Sequence, residues 1–257
     1  MFVIPDPYCP VIIPFGYACV GKTMLIQRLL RYLLSIGFHI QPELIFRNDT
    51  IYPEICNKYM DEIYGNKVAA GTAADGTILL SIIDRKGIRL CYILDISGDY
   101  QHKVNYPFWG ITPEMNCVLH TQNRKIYLFC IEANCRLDMQ ERNIYVQSIH
   151  NIASVMKKQD KAIFVTSKVD CSPFPSCIDG VVDIKSMQRY LGIQYPGLFD
   201  PFVKVHSVFS FIKYRNYIIQ PFMSGLFCNE DSFNVRYISG PNMYPEQLWL
   251  NIMKCIR

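Results

Sequence analysis

The sequence predicts an α/β fold, a mainly parallel sheet with helices on both faces. Three observations lead there. Short β-branched apolar runs alternate along the chain with longer segments of helical spacing, the pattern of strands buried on both sides. The first run leads directly into a glycine-rich loop that opens a helix. Two Asp-containing segments leave later strands at their ends.

The elements follow in order. Val11–Pro14 reads as a buried strand, since Val11-Ile12-Ile13 is apolar and β-branched. Lys22–Ser35 reads as a helix: Met24 to Leu34 is apolar-rich, with no Pro or Gly. Thr77–Ile83 and Ile88–Leu94 are strands joined by Asp84-Arg85-Lys86-Gly87, a hairpin turn that gives one antiparallel edge. Lys125–Ile131 is a continuous apolar strand. Leu137–Lys158 is a long helix, with Ile144, Ile149, Ile152, Val155 and Met156 near helical spacing. Lys161–Val165 is another buried strand. Asp183–Tyr190 is a short helix ended by Gly192. Phe202–Phe209 is a strand and Pro245–Ile256 a terminal helix. Two insertions interrupt this series, at about 37–76, with a short helix at Pro53–Tyr64, and at about 214–241. In the second, Tyr217-Ile218-Ile219 and Val235-Arg236-Tyr237-Ile238 suggest an extra hairpin. Neither is large enough for a second domain, so residues 1–257 read as one.

Composition excludes several classes. Of 257 residues, 50% are hydrophobic and 19% charged, which is ordinary for a globular chain. No apolar run approaches bilayer length, and the N-terminus lacks a signal-peptide pattern. The 11 cysteines form no C-x-x-C pair, and Cys91 and Cys130 fall inside strands, as expected of free thiols in a reducing cytoplasm. The net charge of +4 is mild, and no basic stripe interleaves with aromatics, so nucleic acid is not an expected partner. The five histidines show no metal-ligand spacing. The C-terminal Cys255-Ile256-Arg257 does not carry the prenylation pattern, and no lipid anchor is expected.

Three motifs carry chemistry. Gly16-Tyr17-Ala18-Cys19-Val20-Gly21-Lys22-Thr23 is a complete G-x-x-x-x-G-K-[ST] phosphate-binding loop. Its glycines let the backbone close around phosphate oxygens with N–H groups pointing inward. Phosphate would rest at a helix N-terminus, among Gly16, Cys19, Val20, Gly21 and Met24. Lys22 can reach the β- and γ-phosphates, and the Thr23 hydroxyl can bind Mg²⁺. In Ile93-Leu94-Asp95-Ile96-Ser97-Gly98, Asp95 emerges at a strand end beside that loop, where the water shell of Mg²⁺ needs a carboxylate. Gly98 follows at a spacing where its N–H can contact a γ-phosphate. In Phe164-Val165-Thr166-Ser167-Lys168-Val169-Asp170, the Asp170 carboxylate can accept two hydrogen bonds from guanine, at N1–H and the N2 amine. Adenine lacks that donor pair and would leave the carboxylate unpaired. The Lys168 stem can lie over the base.

Phosphate loop, Asp-x-x-Gly and Ser-Lys-x-Asp, in this order and each at a strand end, together resemble the Ras-like small GTPase domain. The resemblance covers about residues 9–212, and the terminal helix completes it. It implies a three-layer P-loop NTPase fold with a six-stranded sheet, GTP or GDP bound with Mg²⁺, and switch segments that order around the γ-phosphate. Carried across by position, Lys22 and Thr23 match the phosphate and Mg²⁺ residues. Asp95 and Gly98 match the Mg²⁺-shell aspartate and the switch-two glycine. Ser167, Lys168 and Asp170 match the guanine-reading motif. Ser207 and Val208, in His206-Ser207-Val208 after a strand, match the loop whose backbone contacts guanine O6. The family also needs a switch threonine for Mg²⁺. Thr72 and Thr77 are the candidates, and the distance to Asp95 favours Thr72.

Some positions depart from the family. Ser167 stands where Asn or Thr is usual, and Phe209 follows Val208 where Lys is common. Asp99 follows Gly98, where many relatives have a water-positioning Gln, and Asp cannot donate as Gln does, so hydrolysis is expected to be slow. Arg47, Arg85 and Arg89 remain open as an internal finger. The long insertion and the Tyr244–Leu250 helix are more similar to bacterial stand-alone GTPases, some of which act with dedicated partners.

The expected function is therefore a GTP-dependent switch acting through a protein partner, as loops 66–77 and 98–114 change order. Phe108 and Trp109 would supply apolar anchors. An ATPase or small-molecule kinase would use the same loop and Asp95 but give Asp170 no base to read. A nucleotide-binding pseudoenzyme or assembly subunit would bind without turnover, in keeping with Asp99.

Overall fold

The computed structural model describes residues 2–65, 76–96, 113–134, 136–171, 183–203, 217–229 and 235–257. Its elements are β1 (Val11–Phe15), α1 (Lys22–Ser35), β2 (His39–Pro42), α2 (Tyr52–Tyr64), β3 (Ile78–Ile83), β4 (Arg89–Asp95), α3 (Pro113–His120), β5 (Lys125–Glu132), α4 (Met139–Val155), β6 (Lys161–Ser167), α5 (Ile184–Gln194), β7 (Tyr217–Pro221), β8 (Gly225–Asn229), β9 (Val235–Ser239) and α6 (Met243–Ile256). One sheet has the order β2-β3-β4-β1-β5-β6-β7, and β8-β9 is a separate hairpin. β4, β1, β5, β6 and β7 run parallel, while β3 opposes both β2 and β4.

The apolar runs explain the layering. Every residue of β1 and all but the last of β5 are buried, which requires cover on both faces. On one side α1 packs with α2 and α6. On the other, Tyr145 of α4 stacks on Phe15 at 5.9 Å, and aromatic contacts continue from Phe129 through Phe164 to Phe199 and Phe202. Pro14 sits in a central strand, where its missing N–H should break a ladder. Val11 donates to Arg124 O on the β5 side, so by alternation position 14 faces β4. The β1–β4 pairing has already ended at Ile12, so no bond is lost.

The α/β class holds, and several details differ. The sheet has seven strands rather than six. β2 pairs with the strand expected at the edge, so the antiparallel strand lies one position inward. β2 escapes a periodicity search because it is four residues of alternating exposure ending in Pro42. Phe202 ends a 3₁₀ turn, Asp200–Phe202, instead of opening a strand; 204–209 lie outside the described residues. The place beside β6 belongs to Tyr217–Pro221, expected as half of a hairpin; the hairpin is β8 with β9. α5 continues through Gly192, where an added Cβ would meet nothing within 4 Å. α4 starts at Met139 because Asp138 and Glu141 form a reciprocal capping box, worth about 1 kcal/mol. The described hairpin turn is as expected: Gly87 takes φ +81°, and Asp84 Oδ1 accepts from the amides of Lys86 and Ile88.

Candidate functional site

The phosphate loop leaves the C-terminal end of β1 and crosses the end of β5. At Gly16 a Cβ would lie 2.7 Å from Cys130 O, so only glycine passes. Gly21 caps α1 with φ +94°. Cys19 adopts φ 61°, a left-handed conformation that costs a non-glycine residue about 1–2 kcal/mol. Lys22 is buried, and its Nζ donates to the carbonyls of Gly16 and Tyr17, each at 2.7 Å. Val20 and Met24 flank these residues at the loop and the first turn of α1.

Asp95 ends β4 and is fully buried. Burial pushes its carboxyl up to about 6, although the Tyr59 hydroxyl, Lys22 and Thr23 each pull it down. Tyr59 donates to Oδ2 at 2.8 Å; the Thr23 hydroxyl and the Ile96 amide also act on the carboxylate, but among the described residues no donor meets the buried Oδ1 at hydrogen-bond geometry. A buried carboxylate oxygen without a donor is a position that a cation or its water shell satisfies. Among the described residues no cluster of three His, Cys, Asp or Glu forms a cage. Asp95 and the Thr23 hydroxyl fit Mg²⁺ instead, a hard ion that keeps waters and takes phosphate oxygens. Thr77 is buried and immediately precedes Ile78, which pairs with Asp95 across the ladder.

The third segment leaves β6. Ser167 is buried, and its Oγ lies 2.7 Å from Val20 O and 3.3 Å from Ile131 O. Lys168, at φ 52°, donates to Cys19 O at 2.8 Å and to Glu132 Oε1 at 2.7 Å. Asp170 sits in the 3₁₀ turn Val169–Cys171, where the Cys171 thiol lies 3.5 Å from its Oδ2. The structure thus brings Gly16, Cys19, Val20, Gly21, Lys22, Thr23, Met24, Asp95, Ser167, Lys168 and Asp170 to one end of the sheet. A cavity of about 210 Å³ flanks the loop, lined by Tyr17, Cys19, Glu132, Tyr145, Lys168 and Tyr195 among others. Lys22 and Asp95 are not in its lining, so it lies beside the phosphate cradle rather than within it.

Thr72, Gly98, Ser207 and Val208 lie outside the described residues, as do Asp99, Phe108 and Trp109. Ser207 and Val208 also precede the strand that pairs with β6, whereas they were expected to follow it. The segment leaving that strand is Phe222-Met223-Ser224. Phe222 donates to Thr166 O at 2.8 Å and accepts from Val169 at 3.4 Å, so this segment borders Asp170. Glu132 and Tyr59 were also missed. Glu132 follows an apolar strand, and the strand-end rule that picks out Asp95 would have found it. Nothing local to Tyr59 signals its contact with a residue in β4.

No protein-family profile and no curated protein matches the chain. Among solved structures it is similar to the Ski7 GTPase-like domain of S. cerevisiae bound to GTP, at 14% identity over 98% of this chain and 51% of that one, TM-score 0.46. The same domain bound to GDP and inorganic phosphate gives 14%, 97% and 50%, TM-score 0.46. Roco2 RocCORdC of Methanosarcina barkeri bound to GDP gives 12%, 95% and 49%, TM-score 0.37. The chain spans about half the length of these structures.

Proposed function

We propose that this protein binds GTP and GDP with Mg²⁺ and acts as a slow GTPase switch. The observation that carries the reading is the joining of two loops. Ser167 Oγ bonds Val20 O, and Lys168 Nζ bonds Cys19 O. A segment suited to reading guanine is thereby fastened directly to the phosphate loop. Asp170 accepts from the guanine N1–H and N2 amine, and Phe222-Met223-Ser224 borders the base in place of Ser207 and Val208.

Hydrolysis follows from positioning. Lys22 exchanges its two carbonyl partners for β- and γ-phosphate oxygens. Loop amides stabilise the charge that develops as water attacks in line. Thr23, Asp95 and either Thr72 or Thr77 would hold Mg²⁺, which would supply charge neutralisation to the phosphates. The Gly98 N–H contacts the γ-phosphate. Asp99, in place of a water-orienting Gln, supports slow turnover and also supports a second reading, binding without turnover.

Titration with fluorescent GDP and ATP, with and without Mg²⁺, tests the assignment. Guanine binding that fails in Asp170→Asn is the expected result. Equal or stronger adenine binding would favour the ATPase or kinase reading. Phosphate release under Mg²⁺ separates a slow enzyme from a pseudoenzyme, and capture of a partner in only one nucleotide state tests the switch.

A further inference from the structure

Resting on the nucleotide-site reading, we infer that Tyr59 is a positioning residue that splits the two oxygens of Asp95, holding Oδ2 and leaving Oδ1 for the magnesium shell. The oxygens are unequal. Oδ2 accepts from the Tyr59 hydroxyl at 2.8 Å, whereas Oδ1 is buried with no hydrogen-bond partner among the described residues. A buried tyrosine needs a partner for its hydroxyl, and that need alone would explain Oδ2. It does not explain why the second oxygen is left without a donor at hydrogen-bond geometry in a dry site. A metal shell accounts for both, because ligating carboxylates are themselves held by outer hydrogen bonds.

The helix that supplies Tyr59 is not free to drift. Gln27 donates to Glu62 Oε2 at 2.9 Å, and Arg31 donates to the carbonyls of Glu62 at 2.8 Å and Ile63 at 3.1 Å. α2 is therefore fastened to α1, whose first two residues are Lys22 and Thr23. The phosphate lysine, the hydroxyl for Mg²⁺ and the tyrosine that fixes its carboxylate share one support. The insertion before the hairpin thereby acquires a task within the site.

The test is the dissociation rate of fluorescent GDP measured across free Mg²⁺, from EDTA upward. Tyr59→Phe keeps the buried ring and removes only the donor. The expected result is a rise of about tenfold or more in the Mg²⁺ concentration giving half of the effect, the usual loss when an outer-shell partner goes. The rate in EDTA should stay within about twofold, which a general structural defect would not allow. Tyr59→Phe added to Asp95→Asn should change nothing further. In a second measurement, which needs no variant, the ¹³Cζ signal of Tyr59 in labelled wild type should shift when Mg²⁺ is added to the GDP complex. An unmoved half-effect concentration in Tyr59→Phe beside a shifted Asp95→Asn, or an unmoved Tyr59 signal, overturns the inference alone. Wild type that binds no GDP, or ignores Mg²⁺, overturns the nucleotide reading and the inference with it.

Discussion

Replacing Ser167 with alanine tests how the two loops are held together. The side chain is 3% exposed, and its one proton serves Val20 O at 2.7 Å with Ile131 O at 3.3 Å. Alanine keeps the Cβ and removes the donor, leaving the Val20 carbonyl short of a partner in a dry place. Such a loss costs about 1–3 kcal/mol. The remaining tie, Lys168 Nζ to Cys19 O, comes from a side chain that is 33% exposed, and exposed pairs contribute about 0–1 kcal/mol. It cannot replace the serine. Urea unfolding should therefore show a loss of about 1–2 kcal/mol, and GDP affinity should fall about five- to thirtyfold because base and phosphate loops lose register. Ser167→Asn retains a donor and should recover most of both losses. A stability change below about 0.5 kcal/mol in Ser167→Ala, with GDP affinity intact, would refute the view that this hydroxyl fastens the loops.

Three further outcomes are expected. Gly16→Ala puts a Cβ 2.7 Å from a backbone oxygen that cannot yield cheaply, so urea unfolding should show a loss of about 1–3 kcal/mol, with phosphate affinity falling too. Cys19→Gly relieves a left-handed cysteine and should raise stability by about 1 kcal/mol while leaving nucleotide binding intact, as read by thermal unfolding with and without GDP. Burial, with Lys157 nearby, draws the Lys125 ammonium from 10.5 down to about 8. Its folded form therefore binds fewer protons than the unfolded chain between those values, so stability is gained as pH rises from about 8 toward 10.5 and lost as pH falls through 8, by up to about 2–3 kcal/mol. Lys125→Met should flatten that rise in denaturation measured across pH, since Lys157 still donates to Thr121 O.

Where a loop's geometry is set by contiguous residues, it is legible in the sequence. The phosphate loop needs glycine at position 16 for a crossing and at 21 for a dihedral, so its spacing is visible without a structure. Asp95 and Lys168 share the simple rule of following an apolar strand. The fold class came from the same source, because strands covered on both faces are apolar throughout. What was missed depends on pairing at a distance. β2 is four residues whose identity as a strand is set by β3, not by its own pattern. The strand beside β6 could not be chosen between 202–209 and 217–221 from periodicity, since each mixes β-branched and aromatic residues with polar ones. The register, Phe164 with Ile219, decides it. On the proposed nucleotide reading, the segment after Pro221, bonded to Thr166 and Val169, is then the one placed to border the base.

The insertion at 37–76 shows why irregular segments deserve the same chemical reading as motifs. Its helix looks ordinary, with Tyr52, Cys56, Tyr59, Met60 and Ile63 buried on one face. Cys56, Met60 and Ile63 serve packing in the usual sense of an amphipathic helix, and the Tyr52 hydroxyl accepts from the Leu79 amide of β3 at 3.1 Å. Tyr59 differs only in what its hydroxyl meets, a buried carboxylate that already bears the cost of desolvation. Replacing that donor with water would be cheap at a surface, but Asp95 is 0% exposed, so the protein must supply the donor itself. α2, between α1 and β3 in the chain, supplies that donor as Tyr59. The polar ties of Gln27 and Arg31 to the end of α2 then have a reason beyond stability. They keep a donor in place at the point where the charge of the site is concentrated.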